Sequence, residues 1–337
     1  MNLLQLTKTI GRSAMYFSES VPLIVLNNIY ANRGRAVPPQ KEELKAVFKS
    51  IYQLHKKDLD NIERGLYPKS VLETRSLVEH AMSLQKVMKD AIKVGRRMRQ
   101  QKNYDFSQQA LEVGEGLPEY YVRNFHFQTD GYLSEGSAEI YDHQVEILFN
   151  GAAQTMRRLT LLPLVEKFLK TDSFTILDVG CGTGSLTIDL AKTFPKAQIT
   201  AVDLSFPYLK KAQKRLKNFH RVGFIQGNAE DLPFKDQTFD AVVSCYLFHE
   251  LPRSARERVI QEMNRLKKPK GLAVITDALQ ENDTPELNWA LQRFPISYHE
   301  PFFKNYIQSS LEDSVHTLTG VEASIMTGFF SKTVSWL

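Results

Sequence analysis

Residues 177–185 decide the fold of this protein, and they read Leu177-Asp178-Val179-Gly180-Cys181-Gly182-Thr183-Gly184-Ser185. A short apolar run leads into this stretch, and residues at helical spacing follow it. Glycines between a strand and a helix let the backbone approach a ligand without an intervening Cβ, and the free amides at the start of a helix favour an anionic group. The stretch therefore predicts a ligand-binding turn between a strand and a helix.

Short β-branched or apolar runs alternate with amphipathic stretches on either side of this turn. The strand candidates are Thr175–Val179, Gln198–Val202, Gly223–Gln226, Ala241–Ser244 and Leu272–Thr276. Such alternation predicts an α/β fold, in which a mostly parallel, doubly wound sheet has helices on both faces. Further along the chain, the segments Glu322–Met326 and Phe329–Trp336 lie on either side of Thr327-Gly328 and predict a terminal hairpin.

The first part of the chain has a different pattern. Apolar residues at helical spacing predict helices over Lys41–Lys57, from a cap at Ser70 to about Gln100, over Ser134–Leu148, and from Gly151 to about Lys170. Residues 1–110 carry 19 Lys and Arg against 10 Asp and Glu, whereas the remaining residues carry 24 against 28. We therefore expect an all-helical N-terminal domain over residues 1–160 and the α/β domain over residues 161–337.

Composition excludes several classes of protein. The chain has 337 residues, of which 42% are hydrophobic and 24% charged, as in ordinary globular proteins rather than disordered or fibrous ones. Two cysteines cannot build a disulfide framework or a cysteine zinc site, and the eight histidines show no metal-ligand spacing, so no metal is expected. No apolar run approaches the roughly 18 residues of a membrane span. Because residues 1–20 also lack the pattern of a secretory signal, we expect a cytoplasmic location.

Two carboxylates accompany the glycine-rich turn. Asp178 stands two residues before the first glycine, and Asp203 ends the second strand, where a carboxylate can accept hydrogen bonds from ribose hydroxyls. A dinucleotide fingerprint needs glycine where Ser185 stands, and a phosphate-binding P-loop needs a lysine that is missing. An acid at position 178 instead suits a ligand with a cationic amino group and no phosphates.

With these residues the sequence resembles motif I of the class I S-adenosylmethionine-dependent methyltransferases. Later segments that resemble the family follow in order, at 227–234, 239–243 and 265–271, and their pattern is most similar to the small-molecule enzymes around the ubiquinone and menaquinone methyltransferases. The resemblance covers about residues 160–337. It implies a Rossmann-like, seven-stranded sheet with an antiparallel last strand, S-adenosylmethionine as cofactor, and in-line transfer of its methyl group to a small, apolar or aromatic molecule.

The resemblance also implies which residues bind the cofactor. Asp178 and the loop 180–184 would hold the methionine part, Asp203 the ribose, and Leu204 would flank the adenine. Asn228 stands where the family often has aspartate, and its amide oxygen can still accept from the adenine amine. The full expected set is Asp178, Gly180, Cys181, Gly182, Gly184, Asp203, Leu204, Asn228, Ala229, Ser244 and Tyr246.

Two ring-rich segments, one before the first strand and one after the fifth, can close over the carboxyl edge of the sheet, where ligands of open α/β sheets bind. We expect them to form a substrate pocket that includes Tyr121, Phe125, His126, Tyr298 and Phe302. The alternative is that these rings form the core that joins the helical part to the sheet.

Three residues are candidates for catalysis. His249 follows the fourth strand, where a general base could accept a proton from an oxygen nucleophile. The alternative for His249 is a packing role beside the cofactor. Tyr141 and His143 share a helix that precedes the glycine-rich turn and complete the set.

The basic segment 86–102 leaves a second class of function open. It contains seven Lys and Arg residues, and Asp90 is its one acidic residue. A helix face that is exposed to solvent explains this excess of positive charge. No RNA-binding signature accompanies the segment. A nucleic-acid partner is therefore not expected. Two alternatives remain, namely an RNA or protein methyltransferase that uses this helix and a scaffold that binds S-adenosylmethionine without catalysis. The sequence specifies no oligomeric state.

Overall fold

The computed structural model describes residues 3–31, 39–74, 76–100 and 102–337. Its α-helices are α1 (Leu3–Ala31), α2 (Lys41–Glu63), α3 (Leu77–Gln100), α4 (Gln108–Gly114), α5 (Glu135–Leu148), α6 (Ala153–Arg157), α7 (Leu161–Phe168), α8 (Ser185–Thr193), α9 (Phe206–Arg215), α10 (Arg253–Leu266), α11 (Asn288–Ser297), α12 (Phe303–Ile307) and α13 (Leu311–Thr319). Its strands are β1 (Thr175–Val179), β2 (Gln198–Asp203), β3 (Val222–Gln226), β4 (Phe239–Cys245), β5 (Lys267–Ala278), β6 (Ser324–Gly328) and β7 (Ser331–Trp336). Among these residues, no helix combines the length and apolarity needed to cross a membrane.

In the described part of the chain the strands form one seven-stranded sheet in the order β3-β2-β1-β4-β5-β7-β6. Strands β1 to β5 are parallel, and β7 runs antiparallel to both β5 and β6. The predicted mostly parallel sheet is confirmed. The terminal hairpin is also confirmed, but its turn lies at residues 329 and 330, because Thr327 and Gly328 belong to β6. Because the chain builds outward from β1 in one direction and then from β4 in the other, the loops that follow these two strands diverge and leave a crevice at their carboxyl ends.

Both faces of the central strands β1, β4 and β5 are buried over most of their length, as in parallel sheets that helices cover on each side. On one face, Leu177 and Val179 of β1 pack in a cluster with residues of α10, α12 and α13. On the other face, Ile176 of β1 and Val243 of β4 pack with residues of α7, α8 and α9. The doubly wound architecture expected from the sequence is therefore confirmed.

The N-terminal helices pack directly against the sheet. Ile51 and Leu54 of α2 belong to the same core cluster as the strand residues, and a Cβ built on Gly328 would lie 3.2 Å from Leu54 Cδ1. A buried ion pair adds to this contact, since Arg158 Nε donates to Asp58 Oδ1 at 2.8 Å. The boundary at residues 160 and 161 stays a prediction, and the two segments share a core across it.

The predicted cap of the third helix is wrong. Helix α3 begins at Leu77, and Ser76 caps it, because Ser76 Oγ accepts from the amide of Glu79 at 3.2 Å while Glu79 Oε2 accepts from the amide of Ser76 at 3.0 Å. Ser70 lies instead in a short 3-10 turn. Both serines are followed three residues later by glutamate, the pattern of a capping box. Glu73 instead lies 2.8 Å from the Lys192 ammonium.

Candidate active site

The glycine-rich turn connects β1 to α8 at the crevice. Gly182 has φ +55°, and a Cβ built there would meet nothing within 4 Å, so its backbone borders a cavity at the carboxyl end of the sheet. Gly184 has φ +77°, but a Cβ there would lie 2.8 Å from Leu216 Cδ1. Gly184 is therefore needed for close packing and, contrary to expectation, does not line the cavity.

We call this space the cofactor cavity, and the two predicted carboxylates border it. The Asp178 side chain is buried, and its Oδ2 accepts from Thr187 Oγ1 at 2.6 Å while its Oδ1 has no hydrogen-bond partner. Asp203 Oδ2 accepts from the Gly182 amide at 2.7 Å. Burial raises the pKa of Asp178 to about 7 and that of Asp203 to about 6, because desolvation disfavours the charged form.

Most of the predicted cofactor residues line this cavity. They are Asp178, Gly180, Cys181, Gly182, Asp203, Leu204, Asn228, Ala229 and Tyr246. Ser244 does not, because it is fully buried within the sheet and its hydroxyl donates to the Val179 carbonyl at 2.9 Å. Asn228 Oδ1 already accepts from the Glu230 amide at 3.1 Å, so the oxygen assigned to the adenine amine is partly engaged.

A second cavity adjoins the first, and we call it the acceptor cavity. Its wall is mainly apolar and includes Leu148, Phe149, Leu291, Phe294, Phe303 and Phe330. Tyr141, Tyr246 and Glu250 line both cavities. We call the place where the two cavities meet, at these three residues, the partition. Tyr246 has φ +57°, a left-handed conformation that is uncommon outside glycine and frequently found at functional sites.

The residues predicted for a single substrate pocket are distributed over adjoining spaces. Tyr121 and Phe125 line the cofactor cavity, and His126 lines the acceptor cavity. Tyr298 borders a third cavity between the N-terminal helices. Phe302 lines none of these three cavities, and its ring packs edge-on against Tyr120 with centroids 6.3 Å apart. Phe302 therefore packs in the core, as the alternative interpretation predicted. The other four residues line cavities, but they do not line one common pocket.

His249 borders the acceptor cavity with one ring nitrogen fixed. Its Nδ1 lies 2.6 Å from Asp277 Oδ1, and Asp277 Oδ2 accepts from the Phe248 amide at 2.7 Å. Its Nε2 lies 3.7 Å from Glu250 Oε1. Burial lowers the pKa of His249, but the neighbouring carboxylates, Asp277 above all, outweigh burial and raise that pKa to about 9.

A second histidine lies between two glutamates at the same place. His126 Nε2 is 3.3 Å from Glu250 Oε1, and its Nδ1 is 2.8 Å from Glu300 Oε1. Tyr132 also donates to Glu250. Burial again acts to lower the pKa of His126, but Glu300 and Glu250 raise it to about 10. With Asp277, three buried or half-buried carboxylates therefore face two histidines beside the partition.

The other two catalytic candidates, Tyr141 and His143, lie on opposite sides of α5, and only Tyr141 faces the cavities. Tyr141 lies in the partition, and burial raises its pKa above the usual value for a phenol. His143 points elsewhere, with its Nε2 3.1 Å from Glu19 Oε2 and its ring 4.6 Å from that of His80. Two residues advance a helix by about 200°, so positions 141 and 143 face opposite sides of α5. The structure does not support a catalytic role for His143.

Several residues at the site were missed by sequence reasoning. Asp277 lies at the carboxyl end of β5, as Asp178 and Asp203 do in β1 and β2, so its position was the signal that could have found it. Asp142 on α5 accepts from Thr183 Oγ1 at 2.6 Å and anchors the turn to the helical part. Glu250 follows the candidate His249 in the loop after the fourth strand, which was its signal. Glu300 and Arg157 carried no sequence signal, because only the tertiary structure brings them to the site.

The basic segment 86–102 is partly structural. Arg97 is buried, and its Nε donates to the Phe127 carbonyl at 2.8 Å. Lys86 pairs with Glu139 at 3.0 Å. Burial removes the charge of Arg97 from the surface that an RNA or protein partner would meet, whereas Lys86 stays exposed and is paired with Glu139.

Burial raises the pKa of both cysteine thiols, Cys181 and Cys245, so neither has the thiolate character of a nucleophile.

The donor set fits the cofactor that the sequence resemblance implies. The unpartnered, buried Asp178 Oδ1 is an acceptor that a cationic amino group would satisfy. Arg157, a buried cation in the wall of the same cavity, complements a carboxylate. Gly182 has no side chain and faces open space, so a ligand can approach its backbone in the same cavity. A methionine moiety carries these two groups.

Comparison with known proteins gives the family. A family model described as a methyltransferase domain matches residues 176–271. A demethylmenaquinone methyltransferase of Thermotoga maritima is 34% identical over 170 residues, which are 50% of this chain and 70% of that protein. A fatty-acid O-methyltransferase of Mycolicibacterium smegmatis is 37% identical over 121 residues, which are 36% of this chain and 43% of that protein.

Among solved structures, a SAM-dependent methyltransferase of Aquifex aeolicus aligns with 53% of this chain and 91% of its own, at 21% identity and a TM-score of 0.39. The family model and the match to most of the Thermotoga protein indicate the same family as the glycine-rich turn and its two carboxylates do. This chain belongs to the S-adenosylmethionine-dependent methyltransferases, enzymes that use S-adenosylmethionine as their cofactor.

Proposed function

We propose that this enzyme methylates a small, apolar molecule bound in the acceptor cavity. The observation that carries the proposal is the shared partition of Tyr141, Tyr246 and Glu250. On one side lie the glycine-rich turn and its carboxylates, and on the other lie rings and aliphatic side chains. A molecule in the apolar space is therefore adjacent to the ligand in the polar one.

On the cofactor side, this chain's residues bind and orient. Asp178 would hold the amino group and Arg157 the carboxylate of the methionine part, and Asp203 would accept from the ribose hydroxyls. When bound, S-adenosylmethionine supplies an electrophilic methyl group on a cationic sulfonium. The carboxylates around the partition favour positive charge there, because oppositely charged groups attract strongly where water is excluded.

On the acceptor side, the residues exclude water, orient the acceptor and handle a proton. Orientation alone can contribute roughly 7–11 kcal/mol to a reaction of two bound partners. Asp277 holds His249 Nδ1, which leaves Nε2 as the nitrogen that would accept a proton from an acceptor hydroxyl. At neutral pH the raised pKa of His249 keeps most of the imidazole protonated, which makes the proposed step dependent on pH.

The names of two relatives agree with an apolar acceptor. One is a demethylmenaquinone methyltransferase and the other a fatty-acid O-methyltransferase. The apolar wall of the acceptor cavity suits such molecules better than it suits RNA or a protein side chain, which would need a polar, open approach.

The test is transfer of a labelled methyl group to cell extracts separated into lipid, RNA and protein fractions. We expect label in the lipid fraction with the unchanged protein and a strong loss with Ala290→Trp, which fills the acceptor cavity. Gln292→Trp, an exposed residue on the same helix α11, is the matched control. Binding of S-adenosylhomocysteine shows that each variant is folded. Label only in RNA or protein would overturn the proposal.

A further inference from the structure

The third cavity lies between helices α1, α3 and α5, and we call it the helical channel. Its wall includes Phe17 and Ile24 of α1, Val87, Ala91 and Val94 of α3, and Leu148 of α5. Among the described residues that line it, none is Asp, Glu, Lys or Arg. The methyltransferase-domain match at residues 176–271 includes none of these helices.

The helical channel adjoins the acceptor cavity. His126, Tyr141, Val145 and Leu148 line both spaces. The cofactor cavity, the acceptor cavity and the helical channel therefore follow one another, with Tyr141 in the wall of all three. A molecule that extends out of the acceptor cavity on this side enters a space bounded mainly by hydrocarbon.

The two ends of the helical channel differ in polarity. At its inner end, His126 pairs with Glu250 and Glu300, which favours the polar part of a ligand. On the α1 side, Phe17 and Ile24 are 43% and 54% exposed although they belong to the wall. A ligand with one polar end and one apolar end would therefore enter with its apolar end toward α1.

We propose that the helical channel binds a hydrocarbon chain carried by the methyl acceptor, so that the acceptor is a lipid with a methylatable polar head. The proposal rests on the proposed function, because the head must occupy the acceptor cavity. Apolar surface that faces water is unfavourable, and the wall of the helical channel is mainly apolar. A bound hydrocarbon chain would remove apolar surface of the chain and of the wall from water, which makes chain length a determinant of affinity.

The test uses 4-alkylphenols with ethyl, pentyl and nonyl chains as probes, measured by calorimetry on full-length protein saturated with S-adenosylhomocysteine. We expect affinity to rise along the series by up to about fourfold per added methylene, the ratio that corresponds to about 0.8 kcal/mol of burial. Ala91→Trp should fill the channel, bind 4-ethylphenol as the unchanged protein does, and bind the pentyl and nonyl probes no more tightly than the ethyl one.

Ile92→Trp is the matched control, because Ile92 is the next residue of α3 and is 41% exposed to solvent. It should keep the full dependence on chain length. If Ala91→Trp fails to bind S-adenosylhomocysteine, Val94→Trp tests the same wall from a half-buried position.

Two results would overturn the proposal and can be told apart. If 4-ethylphenol binds but longer chains bind no better, or improve equally in Ala91→Trp, the helical channel holds no chain and the proposed function stands. If no alkylphenol binds to protein that does bind S-adenosylhomocysteine, the acceptor cavity itself is wrongly assigned, and the proposed function fails with the channel.

Discussion

Asp178 combines a buried carboxyl group with one oxygen that lacks a partner. Burial raises its pKa to about 7, so protonation of this acid competes with ligand binding near neutral pH. A cationic amino group favours the charged form. We therefore expect S-adenosylhomocysteine binding near pH 7 to release a proton and to weaken as the pH falls below 7, which calorimetry in buffers of different ionisation enthalpy would measure.

Replacing Asp178 by asparagine tests the negative charge of this side chain while its shape is kept. Asp178→Asn keeps an oxygen for Thr187 but loses the negative charge, and we expect affinity for S-adenosylhomocysteine to fall by about 10–100-fold. The dependence on pH below 7 should become weaker. Asp172→Asn, at an exposed carboxylate, is the control and should bind as the unchanged protein does. Equal affinity in Asp178→Asn would contradict the assigned role.

His249 gives a prediction on catalysis. A general base must be neutral, and the pKa of His249 is raised to about 9, so kcat/KM should increase as the pH rises from 7 toward 9. His249→Gln should lower kcat by about 10²–10⁴-fold and abolish this increase. Asp277→Asn removes the main charge that raises the pKa and should shift the increase to lower pH. An unchanged pH profile in His249→Gln would show that His249 only packs.

At the scale of elements, one buried ion pair connects α2 to the turn before α7. Arg158 donates to both oxygens of Asp58, and Tyr67 donates to the same carboxylate at 2.6 Å. Arg158→Met leaves that carboxylate buried without its cation, and we expect the free energy of unfolding in urea to fall by about 3–5 kcal/mol. Lys196→Met breaks an exposed pair with Asp172 and should change nothing measurable. Equal effects of the two changes would contradict this account.

At the scale of the whole molecule, the helical part and the sheet share a core. Leu54 of α2 packs in one cluster with Val334 of β7. We therefore expect a single cooperative unfolding transition. In a Trp289→Phe variant, whose remaining tryptophan is Trp336 of β7, tryptophan fluorescence and hydrogen exchange in α2 should change at the same urea concentration. Two separated transitions would instead show that the predicted domains, residues 1–160 and 161–337, unfold separately.

The positions of the strands and of the glycine-rich turn followed from local pattern. Alternation of apolar runs with helical spacing determines which element forms, because each element must bury its own apolar face. The capping pattern did not decide where α3 begins, because Ser70 and Ser76 are both followed by glutamate three residues later. Contacts with other elements, such as that of Glu73 with Lys192, decide which serine caps the helix. Gly184 and Ser244 fit the family pattern in sequence and still lie outside the cofactor cavity.

The sequence by itself determined the strands, the turn and the two carboxylates Asp178 and Asp203, because these depend on neighbours along the chain. Tertiary structure alone decided which groups meet at the partition, since His126, Glu250, Asp277 and Glu300 come from separate segments. It also decided how these groups titrate, because burial and through-space charge shift a pKa. The three adjoining cavities exist for the same reason: they are spaces between elements, and no single element encodes them.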